Sequence, residues 1–365
     1  MSKKIINVGV ENNYRIVAIS DVHGHHKILE ELITKIDLKD DDFLVFIGDF
    51  INKGLNSYKT YELIRKLSER KNTVVLKGNH EKNIQRILSD KEKFASIDDF
   101  LKNEYYETII HSLLRETKKD LSEFATTNCL YDHIHEYHSE MINFISNLPI
   151  IAQIDEFRFV HGGYNDEFCL ENDEVKFLKY DNYNELSKKN ENKVVVGHWP
   201  TCNLRSHEIS NDPFYNDEKN IIFIDGGIGV HSTGELNAFI IEKDSSKITY
   251  DFVQHNNFRK RKVDKRHIFT KEDTIYVNYP DFDLEVIQEG ESMTRCIHCQ
   301  SKMEFSIFNS LLHFEDGKHQ LKANYINNFL NVEINEEVDV CIEFEDCVLV
   351  KYKNEFGWLL SEQLR

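Results

Sequence analysis

The chain has 365 residues, and its 63 acidic against 45 basic side chains give a formal net charge of −18. A balance so acidic repels nucleic acid and anionic lipid, so neither is expected as a partner, while an anionic substrate stays open because bound cations can reverse the sign inside one cleft. No stretch approaches the roughly 18 consecutive apolar residues that cross a bilayer, and the seven scattered cysteines read as reduced thiols; a cytoplasmic location is expected.

The opening MSKKIINVGVENN has two lysines but no long apolar segment behind them, so no secretory leader is expected. From about residue 15 strand and helix patterns alternate. RIVAI (15–19), FLVFI (43–47) and TVVL (73–76) read as buried strands. Between them, 27–38 places Ile28, Leu29, Leu32, Ile33 and Ile36 on one helical face, and 57–68 is again amphipathic. Such alternation predicts a parallel sheet with right-handed crossovers. Residues 84–148 show helical periodicity and no strand signal, which predicts a helical insertion. Strand signals resume at FRFV (157–160), VVV (194–196), IIFI (221–224), AFII (238–241) and ITYDFV (248–253), so the first domain is expected over 1–252.

NNFRKRKVDKRH (256–267) packs six Lys and Arg residues into a polar run, and 253–267 reads as a solvated basic linker. Residues 268–365 become rich in short β-runs with acidic turns, which predicts a small all-β accessory domain of one or two barrels that could dock a protein partner. The final VLVKYKNEFGWLLSEQL resembles the closing strands of Src-homology-type barrels, with Gly357-Trp358 at the closure.

The informative residues follow the strands. After RIVAI come Asp21 and His23, after FLVFI comes Asp49, and after TVVL come Asn79 and His80. His161 follows FRFV, and His198 follows VVV. In an open α/β sheet the carboxyl ends of the strands line one crevice, which would bring these groups together. Oxygen and imidazole donors without thiolate suit manganese, iron or zinc, and six are a natural number for two ions sharing a bridging carboxylate. Each motif alone is weak: SDVHG reads as a turn, GNHE as a helix cap. Their common placement is what carries the reading.

In order and spacing, SDVHG, GDFINKG, GNHE, HGG and GHWP resemble the calcineurin-like metallophosphoesterases of phosphoprotein phosphatase type, nearest in texture to bacterial and phage members. Asp21 precedes Asp49 by 28 residues, and Asp49 precedes Asn79 by 30. The resemblance spans about 14–245. It implies an α/β sandwich with two divalent ions, manganese first and iron or zinc as alternatives. Asp21, His23 and Asp49 would hold one ion, and Asp49, Asn79, His161 and His198 the other. A bridging hydroxide would attack phosphorus directly, and His80, partnered by Asn52, would protonate the leaving oxygen. Asp225 in FIDGG would stand beside the site.

Two departures matter. The family's Asp-Arg-Gly is here Asn52-Lys53-Gly54, and no arginine lies between His161 and His198. Asn52 can accept from His80 but is neutral, and Lys53 lacks the planar guanidinium fork. Lys179 is the expected second phosphate cation, with Lys176 as its neighbour. The implied activity is hydrolysis of phosphomonoesters, on a phosphorylated protein or a small ester. The alternatives are a symmetrical diadenosine-tetraphosphate hydrolase, which would need a base-stacking surface such as Trp199 or Tyr215, and a scaffold with a vestigial site. CIHC (296–299) with Cys341 and Cys347 would be a loose zinc set, and YDHIHEYHSE (131–140) reads as a solvated helix rather than a metal site.

Overall fold

The computed structural model describes residues 5–10, 13–95, 101, 107–170, 172–269, 275–315 and 317–364. The chain divides into two compact units. The first comprises Met1–Pro200, Asp212–Val230 and Gly234–Asn256; the second comprises Thr201–Asn211, His231–Thr233 and Asn257–Arg365.

Among the described residues the first unit has eleven strands: β1 (Ile5–Val8), β2 (Tyr14–Ile19), β3 (Phe43–Ile47), β4 (Thr73–Leu76), β5 (Ile151–Ile154), β6 (Phe157–Val160), β7 (Lys193–Val196), β8 (Phe214–Asn216), β9 (Ile221–Phe223), β10 (Leu236–Asp244) and β11 (Lys247–His255). They form two sheets, ordered β11-β10-β2-β3-β4 and β1-β5-β6-β7-β9-β8. In the first sheet β2, β3 and β4 run parallel, as strand–helix alternation requires, with Val17 opposite Leu44 and Val45 opposite Val74. In the second, β6, β7 and β9 are parallel. Ile16, Ala18, Val45 and Ile47 from one sheet share a buried cluster with Ala152, Phe157, Phe159 and Val195 from the other. The alternate side chains Val17, Ile19, Leu44 and Phe46 belong to a second cluster shared with the helices. Both faces of β2 and β3 are therefore covered, which is why RIVAI and FLVFI are unbroken apolar runs. Phe157, Phe159 and Phe239 are fully buried, and each contributes about 1.5–3 kcal/mol of transfer free energy.

Helices His26–Lys35, Ser57–Leu67 and Asn79–Leu88 follow β2, β3 and β4 and bury Leu29, Ile64 and Ile84 in the second cluster. Between Leu88 and β5 the described elements are all helical: Lys91–Ala95, Ile109–Glu116, a short 3-10 turn and Thr127–Asn147. Residues 96–100 and 102–106 of the expected insertion lie outside the described residues. The 21-residue helix breaks at His138, whose φ of −130° is not helical. No helix among the described residues is long and apolar enough to cross a membrane.

Among its described residues the second unit is all β apart from 3-10 turns. Its strands are β12 (Arg259–Lys262), β13 (Tyr276–Val277), β14 (Asp283–Gln288), β15 (Met293–His298), β16 (Glu304–Phe308), β17 (Leu312–Glu315), β18 (Lys318–Leu321), β19 (Tyr325–Ile326), β20 (Glu337–Glu343), β21 (Cys347–Tyr352) and β22 (Glu355–Leu360). They form sheets ordered β12-β20-β21-β22, β16-β15-β14-β18-β17 and β13-β19. Part of the basic run does not remain a linker. Arg259–Lys262 is an edge strand antiparallel to β20, because the acidic partner strand neutralises it: Lys260 Nζ lies 3.1 Å from Glu337 Oε1, Arg261 3.3 Å from Glu343, and Arg259 pairs with Glu343 as well. Trp358 on β22 is buried and donates its indole N–H to Ile326 O at 2.7 Å.

Candidate metal centre

The site lies where strands of both sheets end. Asp21 and His23 follow β2, Asp49 follows β3, and Asn79 follows β4; His161, His198 and Asp225 follow β6, β7 and β9 of the other sheet. The loops are laced by their backbones: Asp21 N–H donates to Gly48 O (3.2 Å), His23 N–H to Asp49 O (3.0 Å) and Gly197 N–H to His161 O (3.1 Å). Asp21, His23, Asp49, Asn52, Lys53 and His198 all have positive φ, between 45° and 68°. Six non-glycine residues in the left-handed region within one site mark strain that the surrounding structure imposes. Two glycines allow the close approach. A Cβ at Gly78 would lie 2.1 Å from Asp49 Oδ1, and one at Gly197 would lie 2.3 Å from Asp21 Oδ2.

Asp49 is the centre of the constellation. Its Oδ2 is 3.1 Å from His161 Nε2 and 3.8 Å from His80 Nε2, while Oδ1 accepts the His80 backbone N–H at 2.9 Å. Two groups of donor atoms have all members within 4.8 Å of one another: His23, Asp49 and His80, and Asp49, His161 and His198. Asp49 is common to both. Asp21 sits beside the first group, with Oδ1 3.7 Å from His23 Nε2 and Oδ2 accepting from Ser20 Oγ and from the His198 N–H. One terminal atom of the Asn79 carboxamide lies 3.0 Å from His198 Nδ1, 3.1 Å from His161 Nε2 and 3.2 Å from Asp49 Oδ2. As an NH2, with two hydrogens, it can serve two of the three. As an oxygen it can accept from a protonated His161 Nε2 but then faces His198 Nδ1 and Asp49 Oδ2, acceptor against acceptor, a crowding that a cation among the four atoms would relieve.

The electrostatics fit such cations. Burial pushes the Asp21 carboxyl up to about 6 and Asp225 well above the usual carboxylate range, with the neighbouring acid adding to each. Asp225 Oδ1 accepts the Gly227 N–H at 2.7 Å, while its buried Oδ2 has no hydrogen-bond partner among the described residues. Burial also acts to raise Asp49, but the imidazoles of His161, His80 and His23 hold it well below the usual range. Burial acts to lower His161, yet Asp49 and Asp21 raise it to about 10, so that a proton stands where the acids call for positive charge. His80 and His198 are lowered by burial to about 4, which favours the neutral imidazole at both. Oxygen and neutral imidazole around buried carboxylates match a hard to borderline divalent ion.

The expected phosphate cations differ in placement. Lys53 Nζ is 3.0 Å from His23 Nε2, at the heart of the site. Lys179 is more than half exposed and lies 3.8 Å from Asp181 Oδ2. Asn52 does not accept from His80 as the sequence suggests. Its Oδ1 accepts the Ile109 N–H (2.7 Å), which leaves Nδ2 facing His80 Nδ1 at 2.9 Å.

Two residues were not singled out by sequence. Glu81 is fully buried and accepts four backbone N–H groups, from Asp49 (2.7 Å), Gly78 (2.9 Å), Phe50 (3.0 Å) and Ile51 (3.3 Å), so it holds the Asp49 loop in place. The signal was the fourth letter of GNHE. Asp181 lies 2.7 Å from His198 Nε2, an arrangement that turns Nδ1 toward Asn79. Elsewhere, no group of three close His, Cys, Asp or Glu donors occurs among the described residues. In CIHC, Cys296 is buried and Cys299 exposed, and in the 131–140 helix His135 Nδ1 is bound to Tyr131 O. Tyr215 packs edge-on against Phe239 and tilted against Tyr250 of the sandwich.

Residues 14–225 match the sequence model of the family described as calcineurin-like phosphoesterases. A symmetrical bis(5'-nucleosyl)-tetraphosphatase from Janthinobacterium sp. (strain Marseille) is 26% identical over 147 residues, which span 40% of this chain and 42% of that relative. Among solved structures, one provisionally assigned as a diadenosine tetraphosphatase is 17% identical with a TM-score of 0.42, covering 68% of this chain and 98% of its own. A protein serine/threonine phosphatase from Saccharomyces cerevisiae is 12% identical with a TM-score of 0.40, covering 71% and 87%. None of these likenesses chooses a substrate. With more than half of its length inside the family match, and with buried donor groups suited to divalent ions at the ends of five strands, this chain belongs to the calcineurin-like phosphoesterases.

Proposed function

We propose that the chain hydrolyses a P–O bond by direct attack of water, with no phosphoenzyme, at a pair of divalent ions, manganese in the first instance. The observation that carries this is the meeting of Asn79, Asp49, His161 and His198 through atoms 3.0 to 3.2 Å apart. Asp49, Asn79, His161 and His198 would hold one ion, and Asp21, His23 and Asp49 the other. When bound, the ions supply Lewis-acid polarisation of the phosphoryl oxygens and activation of the attacking water.

The chain's own side chains do the rest. The Lys53 ammonium, 3.0 Å from His23, is within reach of a phosphoryl oxygen, and Lys179 adds positive charge from the rim. Lacking the guanidinium fork, both act as point charges, which attract phosphate without fixing its orientation. His80, whose Nε2 is 3.8 Å from Asp49 Oδ2, would protonate the leaving oxygen. Asp225 is buried beside Asp21, next to the residues that would hold the ions. All seven cysteines are free, which suits a reducing, cytoplasmic setting.

Phosphomonoesters and dinucleoside polyphosphates share this attack and differ in what leaves. The direct test is hydrolysis of p-nitrophenyl phosphate with added manganese, wild type beside Asp49→Asn. Wild type should turn over and Asp49→Asn should fall by at least about 10²-fold. Equal rates would defeat the reading.

A further inference from the structure

Resting on the reading that Lys53 binds a phosphoryl oxygen, we infer that the helical insertion serves the phosphate site, with Arg115 as the residue that positions Lys53. The inference starts from the backbone of the Asn52-Lys53-Gly54 turn. Asn52 and Lys53 both have a φ of 68°. Asparagine tolerates the left-handed region because its short amide can bond locally, whereas lysine has no such compensation. A turn of this kind persists only where its surroundings over-determine it.

Three groups of the turn are tied to one stretch of the insertion, residues 107–115. Asn52 Oδ1 accepts the buried Ile109 N–H at 2.7 Å, and Lys53 N–H donates to Glu107 O at 2.8 Å. Arg115 Nη2 donates to Leu55 O. The same guanidinium holds the Glu107 carboxylate with both arms, Nη1 3.1 Å from Oε1 and Nη2 3.2 Å from Oε2. These contacts close a ring that runs from Lys53 N–H to Glu107, and from its carboxylate through Arg115 to Leu55. On the other side Gly54 N–H donates to His23 O at 2.8 Å, and a Cβ at Gly54 would lie 2.3 Å from that oxygen. The turn is thus held between the insertion and the loop that carries His23.

What the ring fixes is the heading of a side chain. A change in φ swings Cβ about the N–Cα bond, so at negative φ the Lys53 side chain would leave the backbone in another direction. The ammonium reaches 3.0 Å from His23 Nε2 only on its present heading. Opening the ring lets residue 53 relax out of the left-handed region and withdraws the charge from the site. A two-armed arginine–carboxylate pair fixes geometry as well as charge, which is what such a brace requires. Arg115 acts through Lys53 and not on the substrate.

The experiment measures kcat and KM for p-nitrophenyl phosphate with manganese, and the inhibition constant of inorganic phosphate, on the full chain. Lys53→Ala should raise KM and the inhibition constant by at least about tenfold. Arg115→Ala should raise both by about tenfold with kcat within about threefold, because a contact made alike with substrate and transition state appears in KM. A merely structural role would lower kcat through lost folded protein and leave KM unmoved. In the Lys53→Ala background, Arg115→Ala should change neither constant by more than about twofold, since no ammonium is left to aim. Glu107→Gln keeps the backbone oxygen for Lys53 N–H and loosens the two-armed pair, so it should raise both constants about threefold. Wild-type constants in Arg115→Ala, or in Glu107→Gln should the first variant not fold, overturn the inference, as do effects that multiply in the double variant. Wild-type constants in Lys53→Ala itself overturn the reading of Lys53 beneath it, and the inference with it.

Discussion

Replacing Glu81 by Gln changes one atom in a side chain that touches no substrate, and it should cost the protein heavily. In wild type Oε2 accepts from Asp49 N and Gly78 N, and Oε1 from Phe50 N and Ile51 N, all with the carboxylate out of water. Gln must turn its NH2 toward one of these pairs, leaving two buried amides facing a donor. At about 1–3 kcal/mol for each unmatched group, and less desolvation for a neutral side chain, the net loss is about 3–4 kcal/mol. For a unit of this size that lowers the melting temperature by roughly 6–16 °C. The assay is thermal unfolding of the metal-free full chain at pH 8, above the value of about 7 to which burial raises Glu81, so that the wild-type carboxylate is ionised. Manganese affinity measured alongside should also fall, because the Asp49 loop loses its anchor. A melting temperature within about 2 °C of wild type would refute the claim that Glu81 organises this loop.

Asp181→Asn removes the charge that orients His198 through a 2.7 Å contact, and should weaken calorimetric manganese binding by about 10- to 100-fold, while an unchanged affinity would deny Asp181 that role. Trp358→Phe strips Ile326 O of its 2.7 Å partner in a buried position, and urea unfolding should show a loss of about 2–3 kcal/mol in the transition of the β-rich unit. Chelation of metal should lower the melting temperature reversibly, because an ion held at 100 times its dissociation constant adds about 2.7 kcal/mol, and identical melting with and without chelator would argue against a preformed site.

Much of the site was legible because its donors sit where strands end. An apolar run stops where its side chains no longer face a core, and an acid or imidazole at that point needs a reason. Asp21, Asp49, Asn79, His161 and His198 all show it. What the sequence could not show was direction. Asn52 looked like a neutral acceptor for His80, and the distant Ile109 N–H turns it into a donor. Asp181 lies 17 residues from His198 on an unremarkable polar turn, so no local pattern marks it. The same holds for the fold. Parallel β2, β3 and β4 follow from strand–helix alternation, but β1 is exposed or half-buried along its length and β5 follows directly on the helical pattern of 84–148, so neither stands out. The run at Arg259–Lys262 looks like solvated charge until Glu337 and Glu343 stand opposite it.

The most direct test is to count and locate the ions. Anomalous diffraction from crystals grown with manganese should show two peaks per chain with Asp49 between them, one beside His23 and the other beside Asn79, His161 and His198. A single peak out of reach of Asp49, or no ordered manganese at all, would contradict the account.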